Sequence, residues 1–259
     1  MENLPGVSII ISTIGRDSLK DCLASIFAQD YKGPIQIMLG LEHDEYGKFN
    51  ELRWFLSSLT PPENITITPI DLGYSTSVRN GGVHSNHYGG AMYTGLSFLA
   101  KYALLAHIDD DDRYMPNHIS SLVDAIGENP WAFTLSYFTN QKNIIGHDYF
   151  ESVGPGKGIF LESYNGFVRP GGLMLNKTNT EIMKLLFLWS IAPLPTGDGN
   201  DRLIYKGLVD LPHGKTEKYT HLYEIDLKDR VHDVRMKYIQ AENPNIDFST
   251  MVQKNNSVR

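Results

Sequence analysis

Short apolar runs rich in β-branched residues alternate with segments of helical periodicity in the first part of this chain, and this alternation constrains the fold more than any other feature. Three runs are predicted strands: residues 7–12 (VSIIIS), Ile35–Leu41 (IQIMLGL) and residues 64–70 (NITITPI). Runs that are apolar on both faces are typical of parallel sheets. Between them, residues 19–26 and 49–59 are predicted helices. This order of strands and helices predicts a parallel sheet with right-handed crossovers.

The second half of the chain has a different pattern, in which alternating, aromatic-rich segments replace the long apolar runs. Residues 131–141 (WAFTLSYFTNQ) and 156–164 (GKGIFLESY) are predicted strands and loops of an antiparallel extension. Residues 178–192 are a predicted helix, and residues 193–201 (PLPTGDGND) a predicted loop. We therefore predict an α/β fold with a mostly parallel central sheet, helices on both faces and a small antiparallel extension.

Four consecutive aspartates, Asp109 to Asp112, follow an apolar strand predicted at residues 104–108 (LLAHI). In open α/β sheets, ligands bind at the carboxyl ends of the strands. Two unit charges 4 Å apart repel by about 1 kcal/mol in water and by ~4 kcal/mol at an effective dielectric of 20, so the cluster needs an explanation. A divalent cation such as Mg²⁺ or Mn²⁺, which prefers hard oxygen ligands, supplies one. The alternative is a solvated acidic turn in which Asp112 or Asn117 caps the following helix.

Composition and charge disfavour several classes of function. The chain of 259 residues has a net charge of −7 and no cluster of Lys and Arg, which argues against nucleic acid as a partner. Cys22 is the single cysteine, so we expect neither a disulfide framework nor a thiolate metal site. The sequence begins without the basic and apolar regions of a signal peptide, and no apolar stretch reaches the length of a membrane span. These features predict a cytoplasmic protein without a transmembrane segment, and they leave contact with a membrane surface open.

Three motifs in the first 120 residues resemble the nucleotide-binding half of the family 2 glycosyltransferases, which have the GT-A fold. They are the opening strand and helix at residues 7–31, the pair Arg79-Asn80, and residues 106–119 (AHIDDDDRYMPNHI), where an apolar strand runs into an Asp-X-Asp-Asp pattern. Residues 171–177 (GGLMLNK) and 197–208 (GDGNDRLIYKGL) resemble later segments of the family. The motifs in this order are more specific than the Asp-X-Asp pattern alone.

The resemblance implies one GT-A catalytic domain over residues 1–240. The polar composition of residues 241–259 predicts a loosely held tail. Residues 1–120 would bind the nucleotide sugar, and residues 121–240 would bind the acceptor. The implied activity is a metal-dependent, inverting transfer of a sugar from a nucleotide-sugar donor, most simply a UDP-sugar, to a hydroxyl of a glycan or other acceptor. The implied cofactor is Mn²⁺ or Mg²⁺.

By the same resemblance, the aspartates bind the metal and the donor. Asp109 and Asp111 form the Asp-X-Asp pair, with Asp111 on the metal and Asp109 on the donor's ribose or sugar, or on the metal through water. Asp110 is a further nucleotide-binding candidate, and Asp112 could assist either role. A cation at this point would offset the charge that develops on the departing nucleoside diphosphate.

Residues outside the aspartate run are candidates for the donor pocket. Glu42 follows the second strand, where the family often has an aspartate that contacts the base or ribose, and Asp44 is the second choice. Thr13 and Arg16 follow the first strand and could line the same pocket, or they serve as ordinary loop and cap residues. Arg79 could approach the base or the diphosphate, and a surface ion pair is its alternative.

Inverting transfer also needs a carboxylate that takes the proton of the acceptor hydroxyl. In the family this is the aspartate of a Glu-Asp pair ahead of a helix that carries an arginine, and here Asn200-Asp201 occupies that place, so the glutamate is replaced. Asp201 is the candidate base, Asp198 is the second choice, and helix capping is the alternative role of Asp201. A histidine often completes the metal or diphosphate site in GT-A enzymes. The candidates, in order of preference, are His221, then His213 and His232.

Two other functions remain open. A nucleotidyltransferase that makes sugar nucleotides shares this sheet arrangement, but it carries a Gly-rich loop with Arg and Lys after the first strand. Residues 12–18 (STIGRDS) contain one Gly and no Lys, which argues against it. A non-catalytic protein that binds nucleotide sugars or carbohydrates is the other alternative, and it would have no turnover to lose when Asp201 is changed to Asn.

Overall fold

Helices and strands alternate along the chain largely as the apolar pattern predicts. The computed structural model describes residues 4–43 and 49–253. The helices of these residues are α1 (Leu19–Phe27), α2 (Phe49–Ser58), α3 (Gly90–Leu99), α4 (His118–Ile126), α5 (Leu161–Tyr164), α6 (Thr180–Leu185), α7 (Asn200–Leu208) and α8 (His232–Glu242). Short 3-10 helices lie at Val78–Asn80, Pro170–Gly172, Leu186–Ser190 and Phe248–Thr250. The helix predicted at 178–192 is therefore α6 followed by a 3-10 segment, with the Asn179 side chain capping α6.

The strands form one large sheet and one small one. The strands are β1 (Val7–Thr13), β2 (Ile35–Leu41), β3 (Ile65–Asp71), β4 (Leu104–His107), β5 (Arg113–Tyr114), β6 (Trp131–Asn140), β7 (Asn143–His147), β8 (Gly154–Pro155), β9 (Gly166–Phe167), β10 (Leu173–Asn176) and β11 (His213–Glu224). In the described residues the large sheet has the order β3-β2-β1-β4-β10-β6-β11-β5, with β7 beside β6. Strands β8 and β9 pair separately.

The large sheet is mostly parallel, with antiparallel additions in its second half. Strands β3, β2, β1 and β4 pair in parallel, and so do β6 and β11. Strand β10 runs antiparallel to both β4 and β6, so it joins the two predicted halves of the chain in one sheet, in which six of the described strands point the same way. The prediction of an α/β fold with a mostly parallel sheet and an antiparallel extension is confirmed.

The strand order creates a crevice at the carboxyl edge of the sheet. From β1 the chain moves outward to β2 and β3, and it then returns to form β4 on the other side of β1. The loops after β1 and β4 therefore leave the sheet in different directions, and ligands of open α/β sheets bind at such a switch point. The residues after β1 and the four aspartates after β4 meet there.

Both faces of the sheet are covered by helices, because the central strands are apolar on both sides. Ile9 and Ile11 pack with α1, α2 and α4 on one face, whereas Ile10 packs with α3, α6 and α7 on the other. All three side chains are fully buried, and each contributes about 1.5–3 kcal/mol by leaving water. This burial holds the carboxyl edge rigid beneath the candidate site.

The segment after α8 differs from the loosely held tail that we predicted for residues 241–259. Up to Gln253 it packs on a third apolar cluster, through Ile246, Phe248 and Met251. The Asn140 side chain also donates to the Val252 carbonyl oxygen at 2.8 Å and accepts from the Val252 N–H at 3.0 Å. Three apolar residues in a polar segment were too sparse a pattern to predict this docking. Within the described residues, no helix has both the length and the apolar character needed to cross a bilayer.

Candidate active site

Three of the four consecutive aspartates converge at the carboxyl end of β4. A tight turn forms where the Asp112 N–H donates to the Asp109 carbonyl oxygen at 3.1 Å. This turn brings one carboxylate oxygen each of Asp109, Asp111 and Asp112 within 4.8 Å of one another. We call residues 109–112 the acidic cluster. Carboxylate oxygens at this spacing can share one hard divalent cation, because Mg²⁺ and similar ions bind oxygen ligands.

Asp110 is held instead by the loop after β1. The Thr13 hydroxyl donates to Asp110 at 2.5 Å, and Arg16 Nη1 lies 2.8 Å from Asp110 and 3.0 Å from Asp111. Burial by itself lowers the pKa of the Arg16 guanidinium, but the charges of Asp110, Asp111 and Asp109 outweigh it and raise that pKa. Arg16 therefore stays charged and ties the loop after β1 to the acidic cluster.

Tyr93 of α3 contacts the acidic cluster through its hydroxyl, and the sequence pattern did not indicate this contact. Its hydroxyl lies 2.7 Å from Asp109 Oδ1 and 3.1 Å from the Ile108 carbonyl oxygen. Burial, and then the charge of Asp109, raise the pKa of Tyr93 well above its ordinary value, so the hydroxyl remains a donor. The signal was available in principle, because a buried tyrosine hydroxyl usually has a hydrogen-bond partner.

Asp112 is oriented by β11. His221 Nε2 lies 3.0 Å from Asp112 Oδ2, and the Glu224 N–H donates to Asp112 Oδ1 at 2.9 Å. The other ring nitrogen of His221 lies 3.0 Å from the Ser136 hydroxyl, so the fully buried ring is held on both sides. A Cβ on Gly171 would lie 2.1 Å from His221 Nε2, which explains the glycine beneath the ring.

The three histidine candidates occupy different places. His221 is the one that the structure brings against the acidic cluster, through Asp112. His213 begins β11, and its ring packs 4.8 Å from that of Trp131. His232 begins α8. The three carboxylates whose oxygens converge are those of Asp109, Asp111 and Asp112, and His221 contacts the last of them.

Two further donor-pocket candidates lie after β2 and in the loop after β3. Glu42 is buried, and its carboxylate accepts from the Ser75 hydroxyl at 3.0 Å and from the Thr76 N–H at 2.8 Å, which ties the end of β2 to the loop after β3. Arg79 lies on the 3-10 helix Val78–Asn80 and is exposed. Asp44 lies outside the described residues. The roles of these residues in binding a nucleotide stay predictions.

Asp201 lies in the first turn of α7 with its side chain 23% exposed. Gly199, at φ 91°, occupies the cap position, so Asp201 does not cap the helix. Burial raises the pKa of Asp201; Arg202 acts against this, and the charges of Asp198 and Glu151 act with it. A carboxylate with a raised pKa is suited to accept a proton. Asp198, the second choice, pairs with Arg230 at 2.8 Å.

A buried ion network that the sequence pattern did not indicate lies beside this region. Its members are the buried Asp148, Glu151, Arg169 and Arg235, and the partly exposed Asp229 at its edge. Arg235 donates to both oxygens of Glu151, at 2.7 and 2.8 Å, and Arg169 lies 2.6 Å from Glu151. Burial alone would raise the pKa of Glu151, but the two arginines outweigh it and lower that pKa below its ordinary value. Glu151 is therefore ionised across the physiological range.

Comparisons with known proteins identify the fold. No protein-family model matches the chain, and no curated protein sequence matches it. The chain is similar to the crystal structure of S. aureus TarS, with 11% identity and a TM-score of 0.57, over 94% of this chain and 41% of that one. It is also similar to TarS 1-349 in complex with UDP (12%, 0.55, over 94% and 68%) and with UDP-GlcNAc (12%, 0.56, over 93% and 67%).

At this identity the similarity shows a shared fold, and it confirms the predicted GT-A fold class. The chain spans less than half the length of the first TarS chain, so nothing about the remainder of that protein transfers to this one. Membership of glycosyltransferase family 2 stays a prediction.

Proposed function

We propose that this protein is a metal-dependent glycosyltransferase that moves a sugar from a UDP-sugar to a hydroxyl of a glycan or other acceptor. The observation that carries the proposal is the convergence of three carboxylates at the switch point of a GT-A-type sheet. A protein of the same fold has been captured with UDP and with UDP-GlcNAc, which favours a uridine nucleotide as the donor's leaving group.

The residues of the acidic cluster fit a divalent cation by their chemistry. Asp109, Asp111 and Asp112 offer hard oxygen ligands at a spacing that one ion can bridge. We propose these three carboxylates as the ligands, with His221 orienting Asp112 in place of the direct contact that we first predicted for it. Bound Mn²⁺ or Mg²⁺ would offset the negative charge that develops on the departing nucleoside diphosphate.

The donor would lie in the crevice between the loops after β1 and β4. Arg16 supports this, because it keeps a positive charge beside the acidic cluster and contacts Asp110 and Asp111. Thr13 and Asp110 fix the wall of the crevice by their mutual hydrogen bond. Glu42 and Arg79 are proposed contacts of the nucleoside and the diphosphate, respectively.

Asp201 is the proposed base. It would take the proton of the acceptor hydroxyl while that oxygen attacks the anomeric carbon and the bond from this carbon to the diphosphate oxygen breaks. The products are the glycosylated acceptor with inverted configuration, the nucleoside diphosphate and a protonated Asp201. The raised pKa of Asp201 supports this role, because a weaker acid is the better proton acceptor.

The decisive experiment compares Asp201→Asn with the unchanged protein, using release of UDP from a panel of UDP-sugars and thermal unfolding with UDP and Mn²⁺. We expect Asp201→Asn to keep the stabilisation by UDP and Mn²⁺ while transfer falls by about 10³-fold or more. If stabilisation by UDP were unaffected by a chelator, the proposed dependence on a metal would be wrong. Turnover of a nucleoside triphosphate with a sugar phosphate would identify a nucleotidyltransferase, and ligand stabilisation without any turnover would identify a binding protein.

A further inference from the structure

One backbone carbonyl oxygen accepts hydrogen bonds both from the residue before the candidate base and from the loop before α3. Trp189 is the penultimate residue of the 3-10 helix Leu186–Ser190 and is 1% exposed. Its carbonyl oxygen accepts from Asn200 Nδ2 at 2.9 Å and from Asn86 Nδ2 at 3.3 Å. Both asparagines are buried, so neither amide is an ordinary surface contact.

Asn86 connects this carbonyl to the acidic cluster through α3. Its Oδ1 accepts from the Tyr88 N–H at 2.9 Å and from the Gly90 N–H at 3.0 Å, which orders the start of α3. A Cβ on Gly90 would lie 1.9 Å from the Trp189 carbonyl oxygen, so α3 is pressed directly against it. One turn further along α3, Tyr93 contacts Asp109 at 2.7 Å.

Asn200 connects the same carbonyl to the candidate base. It is the first residue of α7, and Asp201 is the next residue. Through its amide, the first turn of α7 is therefore tied to Trp189. A second bond, from the His87 N–H to the Gly197 carbonyl oxygen at 2.9 Å, joins the loop before α3 directly to the loop before α7.

We infer that Asn200 and Asn86 are positioning residues that set the placement of Asp201 relative to the acidic cluster by sharing the Trp189 carbonyl oxygen. This inference rests on the proposed function, since it assumes that Asp201 acts on a sugar held at the acidic cluster. It also gives Asn200 a role where the family pattern has glutamate. A base displaced by about 1 Å can lose about 10²-fold in rate, so a junction of this kind has a measurable effect.

The first test uses Asn200→Ala and Asn86→Ala. Each substitution removes one donor to the Trp189 carbonyl oxygen, and we expect kcat to fall about 10- to 100-fold. For Asn200→Ala, the KM for the UDP-sugar and the stabilisation by UDP and Mn²⁺ stay unchanged, because the acidic cluster is untouched. A general loss of structure would change both quantities together.

Asn200→Asp provides a second variant with a side chain of nearly the same size. An aspartate is favoured at a helix N-terminus, which offsets part of the cost of its buried carboxylate, and urea unfolding establishes that the variant is folded under the conditions of the rate measurement. Its carboxylate cannot donate to the Trp189 carbonyl oxygen, so kcat falls as it does in Asn200→Ala. The rate is read on the alkaline plateau of the pH profile, where Asp201 is fully ionised in every variant.

The double variant and a matched control complete the experiment. Because both amides act on one carbonyl oxygen, Asn86→Ala/Asn200→Ala should lose little more than the worse single variant, whereas independent effects would multiply. Asn179→Ala is the control: it removes the cap of α6 and lowers stability, but it leaves kcat unchanged.

Each outcome bears on a different claim. Full kcat in Asn200→Ala or Asn200→Asp, in a protein that turns over and depends on Asp201, overturns the inference alone. Multiplicative losses in the double variant also overturn it. Absence of transfer by the unchanged protein overturns the proposed function and this inference with it.

Discussion

The acidic cluster and the buried ion network are both built from neighbouring carboxylates, yet their charges are arranged in opposite ways. In the ion network the carboxylates are arranged around arginines, and Glu151 receives both a bidentate contact from Arg235 and a contact from Arg169. In the acidic cluster the oxygens of Asp109, Asp111 and Asp112 are arranged around one another, within 4.8 Å.

The difference separates a structural role from a binding role. Breaking a buried ion pair by removing one partner is strongly destabilising, because a buried charge is left uncompensated. Carboxylates that face one another repel by about 1–4 kcal/mol per pair at 4 Å, and a cation placed among them converts this repulsion into attraction. The ion network is therefore expected to stabilise the fold, whereas the acidic cluster is expected to bind a cation.

The largest effect tests the acidic cluster. Asp111→Asn removes one ligand charge without changing the shape of the side chain, and we expect sugar transfer to fall about 10³-fold, equivalent to about 4 kcal/mol in the barrier. With a chelator present, the free energy of unfolding should change little, because relief of the repulsion from Asp109 and Asp112 offsets the weakened contact with Arg16. UDP release and urea unfolding measure the two quantities. Full transfer activity in Asp111→Asn would remove the basis of the comparison.

The second effect tests the ion network. Glu151→Gln leaves Arg169 and Arg235 without their shared counter-charge, and we expect a loss of about 3 kcal/mol in the free energy of unfolding. Glu181→Gln is the matched control, because Glu181 forms an exposed pair with Lys184 at 2.8 Å and its loss should cost less than about 1 kcal/mol. Urea unfolding of the unchanged protein and the two variants measures these losses. Equal stability of the two variants would contradict a structural role for the network.

The third effect is stabilisation by the cation itself. At a Mn²⁺ concentration about 100-fold above its Kd, the unchanged protein should gain about 2.7 kcal/mol of stability. Asp111→Asn should lose most of this gain. Asp229→Asn, at the edge of the ion network, should keep it. A Mn²⁺ effect of the same size in all three proteins would place the cation elsewhere.

The smallest expected effect tests whether the charges around α7 shift the pKa of Asp201. A protonated Asp201 cannot accept a proton, so transfer should fall as the pH drops through its pKa. Asp198→Asn removes a negative charge that raises this pKa, and the acidic limb of the pH–rate profile should therefore move to lower pH. Glu151→Gln should move it in the same direction by less, because the charge of Glu151 acts on Asp201 more weakly than that of Asp198. Asp210→Asn, an exposed change just beyond α7, is the control and should leave the limb in place.

Much of the fold could be predicted because its signals are local. The buried runs of β1 and β2 are visible as continuous apolar segments, and the turn with the four aspartates directly follows β4 in the chain. The choice of Asp201 rested on a motif, and the structure adds the cap at Gly199 and the raised pKa. The contacts of Glu42 with Ser75 and Thr76 had no such signal, because they join residues far apart in sequence.

The sequence by itself determined the layered α/β fold and the edge at which the acidic residues collect, because the period of apolar residues dictates which faces are buried and where each strand ends. Only the tertiary structure decided which carboxylates converge on one another and which surround the buried Arg169 and Arg235. It grouped Asp112 with Asp109 and Asp111, and it placed Asn86 and Asn200 on one carbonyl oxygen. Isolated polar residues carry no periodicity, so their partners are decided by the packing of distant elements rather than by neighbours in the chain.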